Sequence, residues 1–473
     1  MDMSRSVQSD GFVGAGTQRH CDVLVLGSGL AGSSAAMSAA RLGARVVILE
    51  KQSVTGGSAA LSAGMFWTAP SFDAYTTRIP LGDKALGRRL VDDYVDALQE
   101  IRDTGIRVAS EPQHGIMTYG IGYSLDILAL LEHCHSEVIA AGGELIAGAS
   151  VQKVNMTNGA VSGATVQLND GSLVEYQSSA IVLATGGFQG SPDELTRHIG
   201  PNADRLVLRS NLGSVGDGVR LARACGAGGT KGMSTFYGHL LPYPLEAFKE
   251  EHFLPYSQYY SEHAILVNLR GDRFAPETDG DEILNQALVF EPQARGVLIF
   301  DHDIRKTYGT SEPFPGLGKI DRFAVAVEAG AQSAIADTLE ELIEMVSTWG
   351  VDRNNLTRTL EGYIRSVSVG GGTARGITVA SSAKAPQTGP FYALSVQPSI
   401  TFTFGGIRAD EMGQVLDHDG RILPGLFAGG ADIGGLSNYG YAGGLAPAYI
   451  TGRWAGASAA KRAAEHLRAA MKG

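Results

Sequence analysis

Apolar residues along this chain fall in short unbroken runs separated by glycines. Residues 23–26 (VLVL) and 46–49 (VVIL) contain no polar position, the mark of parallel strands buried on both faces rather than of amphipathic surface strands. Between them, small residues from Ser33 to Ala36 open a helical segment that ends near Gly43, so the three pieces predict a strand–helix–strand unit. SSAIVLATGGF, residues 178–188, reads as a further buried strand ending in a glycine pair, and a hairpin-like region from Val151 to Glu175 precedes it. LPGLFAGGADIGG, residues 423–435, is another strand running into glycines, and the chain closes on a helix through Trp454 to about Arg468. Strands alternating with helices in this way predict an α/β fold.

Composition narrows the function classes. The 473 residues are enough for two or three domains, and 38 basic against 49 acidic residues give a net charge of −11 with no long basic run. Nucleic acid and anionic membrane surfaces are therefore not expected partners. Cys21, Cys134 and Cys225 are scattered without disulfide or metal-ligand spacing, so no metal is expected and the compartment reads as reducing. Residues 1–19 lack the apolar core of a signal peptide and read as a flexible N-terminus, and no eighteen-residue apolar stretch follows. The expectation is a cytoplasmic protein with no transmembrane segment.

The chemistry-bearing signal sits in the first unit. Gly27-x-Gly29-x-x-Gly32 follows the first strand and opens the helix, and Glu50 ends the second strand. The first glycine makes the tight turn, the second lets backbone approach a pyrophosphate, and the third lets helix and strand pack; the acid is spaced to hold ribose hydroxyls. The small, flexible loop GGSAALSAGMFW, residues 56–67, could pass beside an isoalloxazine ring, which selects a flavin over a nicotinamide dinucleotide. No second GxGxxG follows a strand, so no intrinsic NAD(P)H domain is expected.

GSGLAG, LEK…GGSAALSAG, LATGGF, Gly216 to Gly218, AILVNLRGDRF, PFYAL…TFTFGGIRAD and PGLFAGG…GRWAG, in this order, resemble the fumarate reductase/succinate dehydrogenase flavoprotein family, nearest its 3-ketosteroid and tricarballylate dehydrogenase branches. The resemblance implies a discontinuous Rossmann-type FAD domain at 20–235 and 378–473, with an α+β cap inserted at 236–377 and the active site at their junction. It implies FAD contacts at Gly27, Gly29, Leu30, Ala31, Gly32, Glu50, Lys51, Gly57, Ser58, Ser62, Gly64, Met65, Val151, Ala184, Thr185, Gly186, Asp217, Asp432, Gly444, Leu445 and Ala446. The absence of histidine between His20 and His114 removes the attachment point of the respiratory members, so the FAD is expected to be non-covalent.

The implied activity is desaturation next to a carbonyl: a base removes the α proton while flavin N5 takes hydride. Tyr439 is similar to the tyrosine that holds the ketone oxygen in ketosteroid dehydrogenases. Tyr259 and Tyr260, in a tyrosine-rich seam with Tyr237, Tyr243 and Tyr256, are candidate phenols; Asp281 stands near the position of the family's catalytic tyrosine, and Arg375 resembles a proton-donating arginine. Thr401 to Phe404 and the C-terminal tyrosines stand where fumarate reductases carry a histidine and an arginine. The alternatives are a reductase of an activated alkene or unsaturated acid, and a non-catalytic flavoprotein whose FAD is structural or that only relays electrons. Electrons would be exchanged with a quinone-like acceptor, oxygen or a redox partner.

Overall fold

The computed structural model describes residues 18–245, 248–312 and 318–471; all but the last two residues of the expected N-terminal tail lie outside them. The all-apolar run Val23–Leu26 forms the middle of a six-stranded sheet in the order 414–416, 422–428, 180–183, 23–26, 46–50, 144–147. Neighbours are parallel except at the edge strand Gln414–Leu416. Every residue of the strands Val23–Leu26, Val46–Glu50 and Ala180–Leu183 is buried, as expected of strands covered on both faces. The Ala149–Thr157 and Ala160–Leu168 strands pair antiparallel, as the hairpin-like pattern predicts, and carry Val151 to the cavity described below.

Two helices cover this sheet and aim their N-termini at its carboxyl edge. Leu30–Arg41 follows the first strand, and the long helix Leu445–Ala470 packs across it. The crossing is close because both helices offer small residues: a Cβ at Gly452 would run into the Ala31 carbonyl oxygen, and one at Gly456 into that of Ala35. Ser34 Oγ donates to the Tyr449 carbonyl oxygen at 3.0 Å, which ties the pair together.

A second sheet is built on Ile265–Asn268, Gly296–Asp301 and Phe391–Gln397, with Leu241–Pro242 and Ser333–Ala336 alongside. Alternate residues of each long strand enter opposite cores: Ile265, Val267, Val297, Ile299 and Ala393 on one face, and Leu266, Leu298, Phe300, Leu394 and Val396 on the other. Because Phe391–Gln397 pairs with Gly296–Asp301 in this sheet, we propose that the chain returns to the FAD domain near residue 398 rather than at 378. The residues that follow pair back: Ser399–Ile400 with Val207–Leu208, and Phe402–Thr403 with Phe236–Tyr237. These crossings line the seam between the sheets.

Candidate active site

A cavity of about 610 Å³ follows the carboxyl edge of the parallel sheet into that seam, the place where open α/β sheets bind ligands. One set of lining residues is built by the glycine motif. A Cβ at Gly27, whose φ is +103°, would meet the Ala184 carbonyl oxygen, and one at Gly32 would meet that of Gly27, so both are required by packing. At Gly29 the nearest protein atom to such a Cβ would be Gly56 O at 3.9 Å, and that open space belongs to the cavity. Bare backbone at a helix N-terminus beside open space fits a pyrophosphate.

Glu50 lines the same cavity. Its Oε2 accepts from Ser28 N at 2.9 Å and Ser28 Oγ at 2.7 Å, and its Oε1 accepts from Gln52 N at 2.9 Å, which fixes the carboxylate. Lys51 Nζ donates to Asp217 Oδ2 at 2.7 Å and Gly213 O at 2.8 Å, so these two candidates act on each other as well as facing the cavity. Leu30, Ala31, Gly57, Ser58, Ser62, Met65, Val151, Ala184, Thr185, Gly186, Gly444 and Leu445 also line it. Four candidates do not. Gly32 and Gly64 are packed under backbone, and Ala446 is fully buried. Asp432 is buried and accepts from the Thr185 and Gly187 amides, holding the loop after the Ala180–Leu183 strand in place. The glycine cradle, the fixed carboxylate and two helix N-termini converging on one elongated space fit FAD.

The other set of lining residues is polar and aromatic. Tyr237 ends the short strand Phe236–Tyr237, His239 follows two residues on, and both line the cavity. Tyr237 Oη lies 2.6 Å from His239 Nε2, and His239 Nδ1 makes a short hydrogen bond to Asp281 Oδ2. Asp281 Oδ1 accepts from Ser261 Oγ at 3.1 Å and Leu240 N at 3.4 Å. Burial pushes the Asp281 carboxyl up to about 7, and burial together with Arg209 and Arg322 holds the imidazole well below its ordinary range. Burial also pushes Glu282, beside it, up to about 8.

Two arginines complete this set. Arg209 is 1% exposed: Nη1 donates to Thr401 Oγ1 at 3.0 Å, Nη2 to Phe253 O at 2.8 Å, and Nε has no partner. Arg322 is fully buried: Nη1 donates to Ser311 Oγ at 2.8 Å, while Nε and Nη2 have none. Its guanidinium lies 4.9 Å from the Tyr259 ring centre. Neither arginine forms an ion pair among the described residues. Tyr441, stacked on Tyr237 at 3.9 Å between ring centres, and Phe402 and Phe404 add flat apolar walls.

Of the candidate catalytic residues, Asp281 and Tyr259 line the cavity and three lie elsewhere. Tyr439 sits with φ +67° at the tip of a tight turn closed by Asn438 N donating to Gly440 O, which turns its ring outward to 44% exposure. Tyr441, two residues on, faces the cavity instead. Tyr260 is buried against Phe300 in the core on one face of the second sheet. Arg375 tips the 372–379 hairpin and pairs with Asp272 at 3.1 Å on the surface. Sequence reasoning missed Arg209, His239, Arg322 and Tyr441 as site residues. The available signals were a histidine at i+2 from a tyrosine and arginines embedded in apolar runs.

Comparison with known proteins agrees with this architecture. The family described as "FAD binding domain" matches residues 119–445, and "FAD dependent oxidoreductase" matches residues 22–187. The chain is 28% identical to NADH:fumarate oxidoreductase of Klebsiella pneumoniae, over 93% of this chain and 48% of that protein, so it spans about half of that relative's length. It is 26% identical to vinyl phenol reductase of Lactiplantibacillus plantarum, over 88% of this chain and 90% of that one. The fold matches 3-ketosteroid-Δ4-(5α)-dehydrogenase from Rhodococcus jostii RHA1 with a TM-score of 0.72 at 23% identity, covering 93% of this chain and 97% of that one. The glycine cradle, the fixed Glu50 and the matched family together make this chain a member of the FAD-dependent fumarate reductase/succinate dehydrogenase flavoprotein family.

Proposed function

We propose that the protein hydrogenates a carbon–carbon double bond conjugated with a carboxylate. The observation that carries this reading is the pair of buried arginines in the cavity wall, Arg209 and Arg322, each of which keeps guanidinium N–H groups without a partner. A buried guanidinium without a counter-ion is costly, and a planar carboxylate is the ligand that matches its donors. The aromatic walls suit a flat conjugated system. The two relatives named above are reductases of double bonds, one of them acting on a dicarboxylic acid, which supports the reductive direction over desaturation of a neutral ketone.

The roles of the residues follow from their positions. Gly29 and the Leu30–Arg41 N-terminus would receive the pyrophosphate, Glu50 would accept from ribose hydroxyls, and the Gly444–Leu445 backbone at the N-terminus of the long helix would stabilise the negative charge that collects on the flavin when it is reduced. FAD when bound supplies a hydrogen with its electron pair to one alkene carbon. Arg322 and Arg209 fix the carboxylate and stabilise the negative charge that develops on it as the β carbon gains its hydrogen, and the α carbon, which shares that electron pair, then takes a proton. We infer non-covalent FAD, since His239 is the only histidine lining the cavity among the described residues and it belongs to the substrate set. Electrons come from an external donor.

Binding of a saturated carboxylate analogue to the oxidised holoprotein, read from the flavin absorbance, tests the arginine assignment. Arg322→Met is expected to weaken that binding by about 10²-fold, the loss of one charge-assisted pair, with FAD content unchanged. Unchanged affinity in the variant would remove the carboxylate from the reading.

A further inference from the structure

We propose that Tyr237 is the proton donor to the substrate carbon, and that His239 and Asp281 are positioning residues that orient and recharge it through a Tyr237–His239–Asp281 relay. The proposal rests on the reading of the site as one that hydrogenates a double bond. All three residues line the cavity, and they form an unbroken line of hydrogen bonds. The relay is held from outside: Ser399 Oγ donates to His239 O at 2.6 Å, His239 N donates to Ser399 Oγ at 3.0 Å, and Tyr259 meets the imidazole edge-on at 4.8 Å. Neither of the other cavity phenols, Tyr259 and Tyr441, has such a partner behind it among the described residues.

The balance of the step is simple. Hydrogenation needs two electrons, which the external donor delivers by way of the cofactor, and two hydrogens, of which one is a proton at the α carbon. The Tyr237 O–H bond breaks with its electron pair staying on oxygen, and a C–H bond forms with the pair on the α carbon. Tyr237 then takes the Nε2 proton of His239, Nδ1 takes the Asp281 carboxyl proton, and a carboxylate remains until solvent returns the proton.

The groups facing the relay decide where the spare proton rests. Arg209 and Arg322 oppose a positive imidazolium; Arg209 favours a carboxylate at Asp281, while Glu262, Glu282 and burial oppose it; Tyr259 and Tyr441 are the remaining titratable neighbours. The spare proton therefore sits on Asp281, and its loss near neutrality empties the relay. Below that point His239 carries its hydrogen on Nε2 and accepts at Nδ1. Above it, the hydrogen moves to Nδ1 and Nε2 accepts from Tyr237.

This tautomer exchange is the direct test. In the FAD-loaded protein labelled with ¹⁵N-histidine, the His239 signal, identified by its loss in His239→Gln, should change from the Nε2–H to the Nδ1–H form between about pH 6 and pH 8.5. Asp281→Asn should abolish the change. In turnover with an unsaturated acid, Tyr237→Phe should lower kcat by at least about 10²-fold with little change in substrate affinity, and Asp281→Asn should flatten the fall in kcat above neutral pH. Wild-type kcat in Tyr237→Phe, or a His239 tautomer that stays fixed across this range, would overturn the relay. If the wild type hydrogenates no unsaturated acid, the reading of the site fails, and the tautomer measurement alone decides the relay.

Discussion

Asp281 and Glu282 are neighbours in the first turn of the Asp281–Leu288 helix, and burial raises both carboxyl groups. The helix N-terminus favours their charge, but desolvation outweighs it. A carboxyl whose folded pKa lies above its unfolded value favours the folded state while protonated, and that contribution is lost as pH rises toward the folded pKa. For Glu282 the window runs from about 4.5 to about 8. Glu282→Gln should therefore raise stability by on the order of 1–3 kcal/mol at pH 8.5 and by little at pH 5, measured by denaturant unfolding of the holoprotein. An equal effect at both pH values would mean that the fold does not raise the Glu282 carboxyl above its unfolded value. At this scale the sequence was uneven. Glu50 was legible because motif spacing announces it. His239 and Arg322 were not, since their meaning depends on partners 42 residues away in one case and on a buried N–H without a partner in the other.

Among the elements, the strand–helix–strand unit was readable because its hydrophobic pattern and its glycines agree. The two outer glycines of the motif differ physically from the middle one, and the difference is measurable. Gly29 has ordinary φ and open space in front of it, so Gly29→Val should leave the apoprotein folded with a melting temperature near wild type while FAD retention is lost. Gly32→Val should instead lower apoprotein stability, because its side chain would strike the Gly27 carbonyl. The loss of FAD removes about 2.7 kcal/mol of apparent stability at a ligand concentration 100-fold above Kd. FAD retained in Gly29→Val would contradict the cradle. Two elements escaped the sequence reading. The Asn438–Gly440 turn reverses which tyrosine faces inward, and no propensity encodes that reversal. Strand Phe391–Gln397 reads as apolar in either domain, and only its pairing with Gly296–Asp301 assigns it to the second sheet.

For the whole molecule, the substrate end of the cavity exists only where distant segments meet. Arg209, Tyr237, Asp281, Arg322 and Tyr441 are spread over more than 200 positions of the sequence and meet only at this cavity. Their convergence gives a site with buried cationic donors, a linked phenol and flat apolar walls, next to the space that holds FAD. No helix among the described residues is long and apolar enough to cross a membrane. The central claim is that this convergence hydrogenates unsaturated acids, and anaerobic reoxidation of the reduced holoprotein tests it most directly. Dithionite-reduced protein mixed with an aryl-substituted acrylic acid or with fumarate should regain its oxidised flavin spectrum and release an equivalent of the saturated acid, with the matching esters and 4-vinylphenol slower by about 10²-fold, the value of one charge-assisted contact. Reoxidation by the neutral alkenes as fast as by the acids, or by no acid at all, would contradict it.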